Sequence, residues 1–154
     1  MADDGDSPRR TRTALLAVLL IVTLGLLLTR CPANRDGMSG QLAQAMEETV
    51  AAARSGAYAL DLRMRDRSTP QLVSVQIGDA RDEVVKAYKG IADLRAGDPA
   101  DLDRQRMLTE AMTTMIGQLN TASARVREVA TASQLSALRG QLAASADALE
   151  AGYR

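Results

Sequence analysis

The stretch Ser68-Thr69-Pro70-Gln71-Leu72-Val73-Ser74-Val75-Gln76-Ile77-Gly78 decides the fold of this chain. Taken alone, Val73-Ser74-Val75-Gln76-Ile77 alternates apolar and polar residues and stops at a glycine, as a half-buried strand would. Over a longer window Val73, Ile77, Ala80, Val84, Ala87, Ile91 and Leu94 recur in alternate steps of three and four. A short strand gives no reason for that rhythm to continue, whereas one face of a helix does. The flank agrees, because Thr69 suits an N-cap and Pro70 the first helical position, where a missing N–H costs nothing. Ser68-Thr69-Pro70 therefore closes one helix and opens the next.

The same stepping extends in both directions. Upstream, Met46, Val50, Ala53, Ala57, Leu60 and Met64 form a heptad seam. Downstream, Gly97 suits a C-terminal cap and Asp98-Pro99 repeats the cap-then-proline start. Leu108, Met112, Met115, Leu119, Ala122, Val126 and Val129 then mark a third helix. Leu135, Leu138, Leu142 and Leu149 lie in a different register, so a break is expected at 130–134, with Thr131 to Ser133 as capping residues. The expectation is an all-α antiparallel bundle of four long helices over residues 39–154. Its seam is represented by Ile77, Val84, Ile91, Met112, Leu119, Leu138 and Leu142. With alanine and methionine in the seams and no phenylalanine, the core should be slim, which favours self-association or a partner.

Ahead of the bundle, residues 13–29 carry no charge and are bracketed by Arg12 and Arg30. At ~1.5 Å per residue such a run spans roughly 25 Å, the short end of a transmembrane helix. Leu15, Leu19, Val22 and Leu26 represent this anchor, with residues 1–12 as a disordered tail and 30–38 as a polar linker. Two alternatives stand beside it: a signal peptide cut before Asn34, and lipidation at Cys31, which Arg30 disfavours because a small residue belongs there. Arg9, Arg10 and Arg12 against Arg30 and Arg35 favour a cytoplasmic N-terminus. The expected location is the cell membrane, single-pass, with the C-terminal domain outside the cytoplasm, or secreted if the segment is cleaved.

Composition narrows the chemistry. The 154 residues include no His, Phe or Trp and one Cys, with 19 Lys+Arg balanced by 19 Asp+Glu. That removes histidine-based triads, histidine-ligated zinc or haem, and paired-cysteine sites. A neutral chain also lacks the basic footprint of nucleic-acid binding. Asp98, Asp101 and Asp103 echo a calcium-ligand spacing but lack the glycine turn and the distal acid, and acids in a helix's first turn suit its dipole. Arg63, Arg65 and Arg67 interleave with Asp61 and Asp66, as on a solvated face. Tyr58, Tyr88 and Tyr153 read as core or rim residues. Met46, Met64, Met107, Met112 and Met115 read as packing rather than soft-metal ligands. No catalytic, cofactor-binding or metal-binding residues are expected.

The run from Arg63 through Val73, continued by Gly78, Ala80 and Glu83, resembles the signature region of the LemA family. There a basic helix end leads into a Pro-Asn-Leu-Val start of the second long helix. Pro70, Leu72, Val73, Gly78, Ala80 and Glu83 match, and Gln71 stands in place of the asparagine. Ile116-Gly117-Gln118-Leu119 is similar to the family's Leu-Gly-Arg-Leu, and Glu128, Leu138 and Leu142 fall at later matching positions. The resemblance implies a membrane-anchored helical bundle without established catalytic residues. The expected function is a non-enzymatic scaffold or protein-interaction module at the membrane. Membrane lipid, an envelope protein and a further copy are the partners considered, and the second and third helices the contact region. The alternative is an extracytoplasmic sensory or ligand-binding bundle that works with a partner subunit.

Overall fold

A computed structural model of the chain describes residues 37–128 and 130–153, in four helices with no strand among them. They are α1 (Met38–Met64), α2 (Pro70–Ala92), α3 (Pro99–Arg127) and α4 (Ala132–Tyr153). Residues 13–29, with Leu15, Leu19, Val22 and Leu26, lie outside the described residues, as does Val129. Among the described residues no helix is long and apolar enough to cross a membrane.

Each helix start is built from local chemistry. Gly37 caps α1 at φ 110°, a backbone conformation L side chains rarely adopt. Thr69 Oγ1 accepts from the Leu72 N–H at 3.3 Å, and Asp98 Oδ1 accepts from the Ala100 N–H at 3.0 Å, with a proline following each cap. At α4 the Thr131 N–H donates to Gln134 Oε1 at 3.0 Å while the Gln134 N–H donates to Thr131 Oγ1 at 3.4 Å. That reciprocal capping box fixes the expected break at 130–134.

The helix ends are less evident from sequence. In α1 the Arg67 N–H donates to Leu62 O and the Asp66 N–H to Arg63 O, with Asp66 at φ 53°. This is a Schellman ending with aspartate where glycine is usual. Because the left-handed conformation costs roughly 1–2 kcal/mol in a residue with a Cβ, Asp66→Gly should raise stability by about 1 kcal/mol, less whatever the exposed pair with Arg63 contributes. Chemical denaturation measures it, and a loss of stability would show that the turn is held by the aspartate side chain instead.

The expected cap at Gly97 is not the end of α2, which stops five residues earlier at Ala92 with Asp93 as cap. Ile91 O there accepts from the Leu94 N–H at 3.2 Å, and Gln105 Nε2 of α3 donates to Ile91 O at 2.6 Å and to Leu94 O at 3.0 Å, tying the end of α2 to another helix. At the other end of the bundle's sequence, α1 begins at Met38, one residue ahead of the boundary drawn at 39.

Antiparallel order follows from cross-helix pairs. Arg54 meets Asp147 and Glu150 while Asp61 meets Arg139, so α4 descends as α1 rises. Gln118 Nε2 donates to Ser145 Oγ at 2.9 Å between α3 and α4. Helices α1 and α3 each pack against all three others, whereas the backbones of α2 and α4 stay apart. The bundle is thus squeezed along the α1–α3 diagonal.

The core sits along that diagonal. In α2 Val73, Ile77, Ala80, Val84, Ala87 and Ile91 are all buried, as the stepping predicts. Met112, Met115, Leu119 and Leu142 are fully buried, and Leu138 is partly buried against them. Helix α1 has two buried stripes rather than the one expected. Val50, Ala53, Ala57 and Leu60 form the expected one, flanked by partly buried Met46 and Met64. Leu42, Ala45, Thr49, Ala52, Gly56 and Ala59 form the second. Ala45 and Ala52 border α2 residues and Ala57 borders α4 residues, so one stripe serves each side. Thr49, the buried polar member, donates from Oγ1 to Ala45 O at 2.7 Å and is satisfied within its own helix.

Gly56 is where the helices converge. A Cβ there would lie 2.7 Å from Leu119 Cδ2 of α3, 3.7 Å from Leu142 Cδ1 of α4 and 3.8 Å from Ala80 Cβ of α2. The absent side chain lets three neighbours close on α1 at one level.

Candidate functional site

Charge is unevenly spread along the bundle. The half containing Gly37 (residues 37–51, 82–112 and 143–153) holds eleven carboxylates and five cations. The other half (residues 52–81, 113–128 and 130–142) holds eight arginines and four carboxylates. Both lysines, Lys86 and Lys89, are in the acidic half.

The sequence-marked polar residues disperse into this pattern. Asp98 caps α3, Asp101 pairs with Arg104 at 3.2 Å, and Asp103 pairs with Arg106 at 3.0 Å, so the three aspartates face separate partners. Arg63 pairs with Asp66, and Arg65 with Asp61, whose second oxygen also meets Arg139 of α4. Asp147, and then Glu150, raise the pKa of Arg54 above its ordinary value, although exposure limits what that clasp contributes to stability. Tyr88 and Tyr153 pack partly buried against the core, while Tyr58 is 63% exposed beside Asp61, Arg65 and Arg139. Met107 and Met115 border an apolar groove between α3 and α4 that also includes Leu149.

The residues carrying the LemA resemblance do not converge either. Val73 is core, Pro70 starts α2, Gly78 is half-buried, and Leu72 and Glu83 face solvent. Ala80 and Glu83, which also belong to the resemblance, nevertheless line a surface that the sequence reading did not single out.

That surface is the groove between α1 and α2. Glu48 on α1 and Asp79 and Glu83 on α2 form its acidic walls, above a floor of Ala51, Ala52, Ser55 and Ala80. Gln76 also lines it, and its Oε1 is buried with no hydrogen-bond partner. Such an acceptor normally finds a donor. Asp79 makes no ion pair or side-chain hydrogen bond with a described residue. Glu48 accepts from Gln44 Nε2 at 2.8 Å, and Glu83 lies 4.0 Å from Lys86 Nζ, at the limit of an ion pair.

The α2 face continues past the groove toward the helix start. Leu72 is 53% and Val75 58% exposed, two of the largest exposed apolar side chains, and Val75 borders a second groove with Pro70, Gln71, Ser74 and Arg127. In sequence Leu72, Val75, Gln76, Asp79 and Glu83 look like the unremarkable outer side of an amphipathic helix. Their grouping becomes visible only when α1 supplies Glu48 and a small-residue floor.

No family model, curated protein or solved structure matches the chain. The likeness to the LemA family therefore rests on the motif residues themselves.

Proposed function

We propose that this chain is a membrane-tethered helical bundle that acts by protein contact and performs no catalysis. The observation that carries the reading is how few residues lie between the uncharged run and the bundle in sequence. Only residues 30–37 separate the uncharged run at 13–29 from the first residue of α1. At ~3.3–3.6 Å per residue, a fully extended connection of that length reaches about 28 Å. An apolar run embedded in a bilayer would hold the bundle within that layer, raising its effective concentration toward neighbours in the same membrane. The architecture also fits the LemA resemblance, an anchor followed at once by long helices. The bundle would project from the non-cytoplasmic side if the arginines of the tail set the orientation.

Chemistry at the surface supports contact over turnover. The cross-helix polar groups Gln105, Gln118, Asp61 and Arg54 are engaged in holding helices together. The concave regions are grooves between helix pairs, suited to an elongated polypeptide.

Fractionation tests the tether. The full chain should sediment with membranes and resist extraction by high salt, whereas Leu19→Arg with Val22→Arg should move most of it to the soluble fraction. A wild-type chain recovered in the soluble fraction would reject the tether.

A further inference from the structure

We propose that the α1–α2 groove seats an arginine-bearing amphipathic helix of a partner protein. The inference deepens the contact reading above and does not depend on the membrane tether. Glu48, Asp79 and Glu83 give the groove a negative wall, and Asp79 has no cation of its own among the described residues. Gln76 lines the groove beside them. A guanidinium suits this wall, since its fork of N–H groups can bind one carboxylate with two parallel hydrogen bonds and still face a second. An ammonium offers a point charge without that geometry.

The apolar part sets the spacing. Leu72 and Asp79 are seven residues apart on one face of α2, which is about 10 Å along the helix. A partner helix with an apolar residue one heptad from an arginine would cover Leu72 and Val75 while delivering its cation to Asp79 and Glu83. Ala51, Ala52, Ser55 and Ala80 keep the floor low enough for a helix to approach. A symmetric pairing of two copies through this face fits poorly, because Leu72, Val75, Gln76, Asp79 and Glu83 include no cation to meet Asp79.

A labelled alanine-rich helical peptide with leucines one heptad from a pair of arginines serves as the probe, measured by fluorescence anisotropy against the detergent-solubilised full chain. Asp79→Asn with Glu83→Gln should weaken binding by about tenfold, and Val75→Ser by about threefold. Both variants should keep the wild-type circular dichroism spectrum. Asp103→Asn with Glu110→Gln removes the same charge from the exposed side of α3, and binding should stay within about twofold of wild type at equal ionic strength.

Equal weakening by the α3 control would reduce the effect to net charge and overturn the assignment. So would equally tight binding of the lysine version or of a peptide with scrambled spacing. Self-association of the unliganded chain that the Asp79/Glu83 variant abolishes would make a second copy the occupant and also overturn it. Because the peptide assay is done in detergent, its failure is separate from a failure of the chain to fractionate with membranes.

Discussion

Ile77→Asp should leave the bundle largely unfolded at room temperature, whereas Leu72→Asp, five residues earlier on the same helix, should change stability by no more than about 0.5 kcal/mol. The contrast follows from position. Ile77 is fully buried and Leu72 is 53% exposed. Aspartate at 77 removes an apolar side chain whose burial contributes roughly 1.5–3 kcal/mol and adds an ionisable group with no partner, for a combined cost on the order of several kcal/mol. Domains of this size retain only about 5–15 kcal/mol in total. Aspartate at 72 stays in water, and a negative charge in the first turn of α2 suits the helix dipole. Far-UV circular dichroism during thermal unfolding measures both variants. Tolerance of Ile77→Asp would disprove the placement of α2 against the core, and with it the groove built on α1 and α2.

Gly56→Leu should cost roughly 3 kcal/mol, at the upper end of overpacking effects. The first added carbon alone would come 2.7 Å from Leu119 Cδ2, and the rest of the side chain would meet Leu142 and Ala80. Leu119 is itself fully buried, so it has little room to withdraw. Gly56→Ala is a finer test. Helix propensity favours alanine by about 1 kcal/mol, and displacement of the Leu119 terminus offsets that gain, so the net change should be small. Leu119→Ala alone should cost about 2–5 kcal/mol through the cavity it leaves. Combined with Gly56→Ala it should cost less than the two changes summed, because the new methyl enters that cavity. Strict additivity, read from denaturation midpoints, would show that the two residues do not meet.

The legible parts of this fold are those in which a residue's own type announces its place. Val73, Ile77, Val84 and Ile91 are β-branched residues at helical spacing, and all are buried. Thr69-Pro70 and Asp98-Pro99 carry their capping chemistry openly. The second stripe of α1 was hidden because Ala45, Thr49, Ala52 and Gly56 are too small or too polar to register as a hydrophobic face. The end of α2 was hidden because the side chain that binds its last carbonyls, Gln105, lies thirteen residues beyond Ala92. Asp66 hides the end of α1 by occupying a position that usually advertises itself with glycine. The groove was the least legible. Asp79 and Glu83 are ordinary surface acids until Glu48 arrives opposite them from another helix.

The position of α1 also governs how the bundle would bear mechanical load. It follows residues 1–36 directly and, like α3, contacts the other three helices. A pull applied at Gly37 along its axis would have to slide α1 past α2, α3 and α4 together, with Gly56 interlocked among Leu119, Leu142 and Ala80 and Arg54 clasped by Asp147 and Glu150. That is shear, in which contacts resist in parallel, rather than the one-at-a-time opening of a peeled edge. Tension at the opposite terminus would instead engage α4, whose backbone borders only α1 and α3. A pull from the N-terminal side thus loads three helix interfaces at once, and one from the C-terminal side loads two.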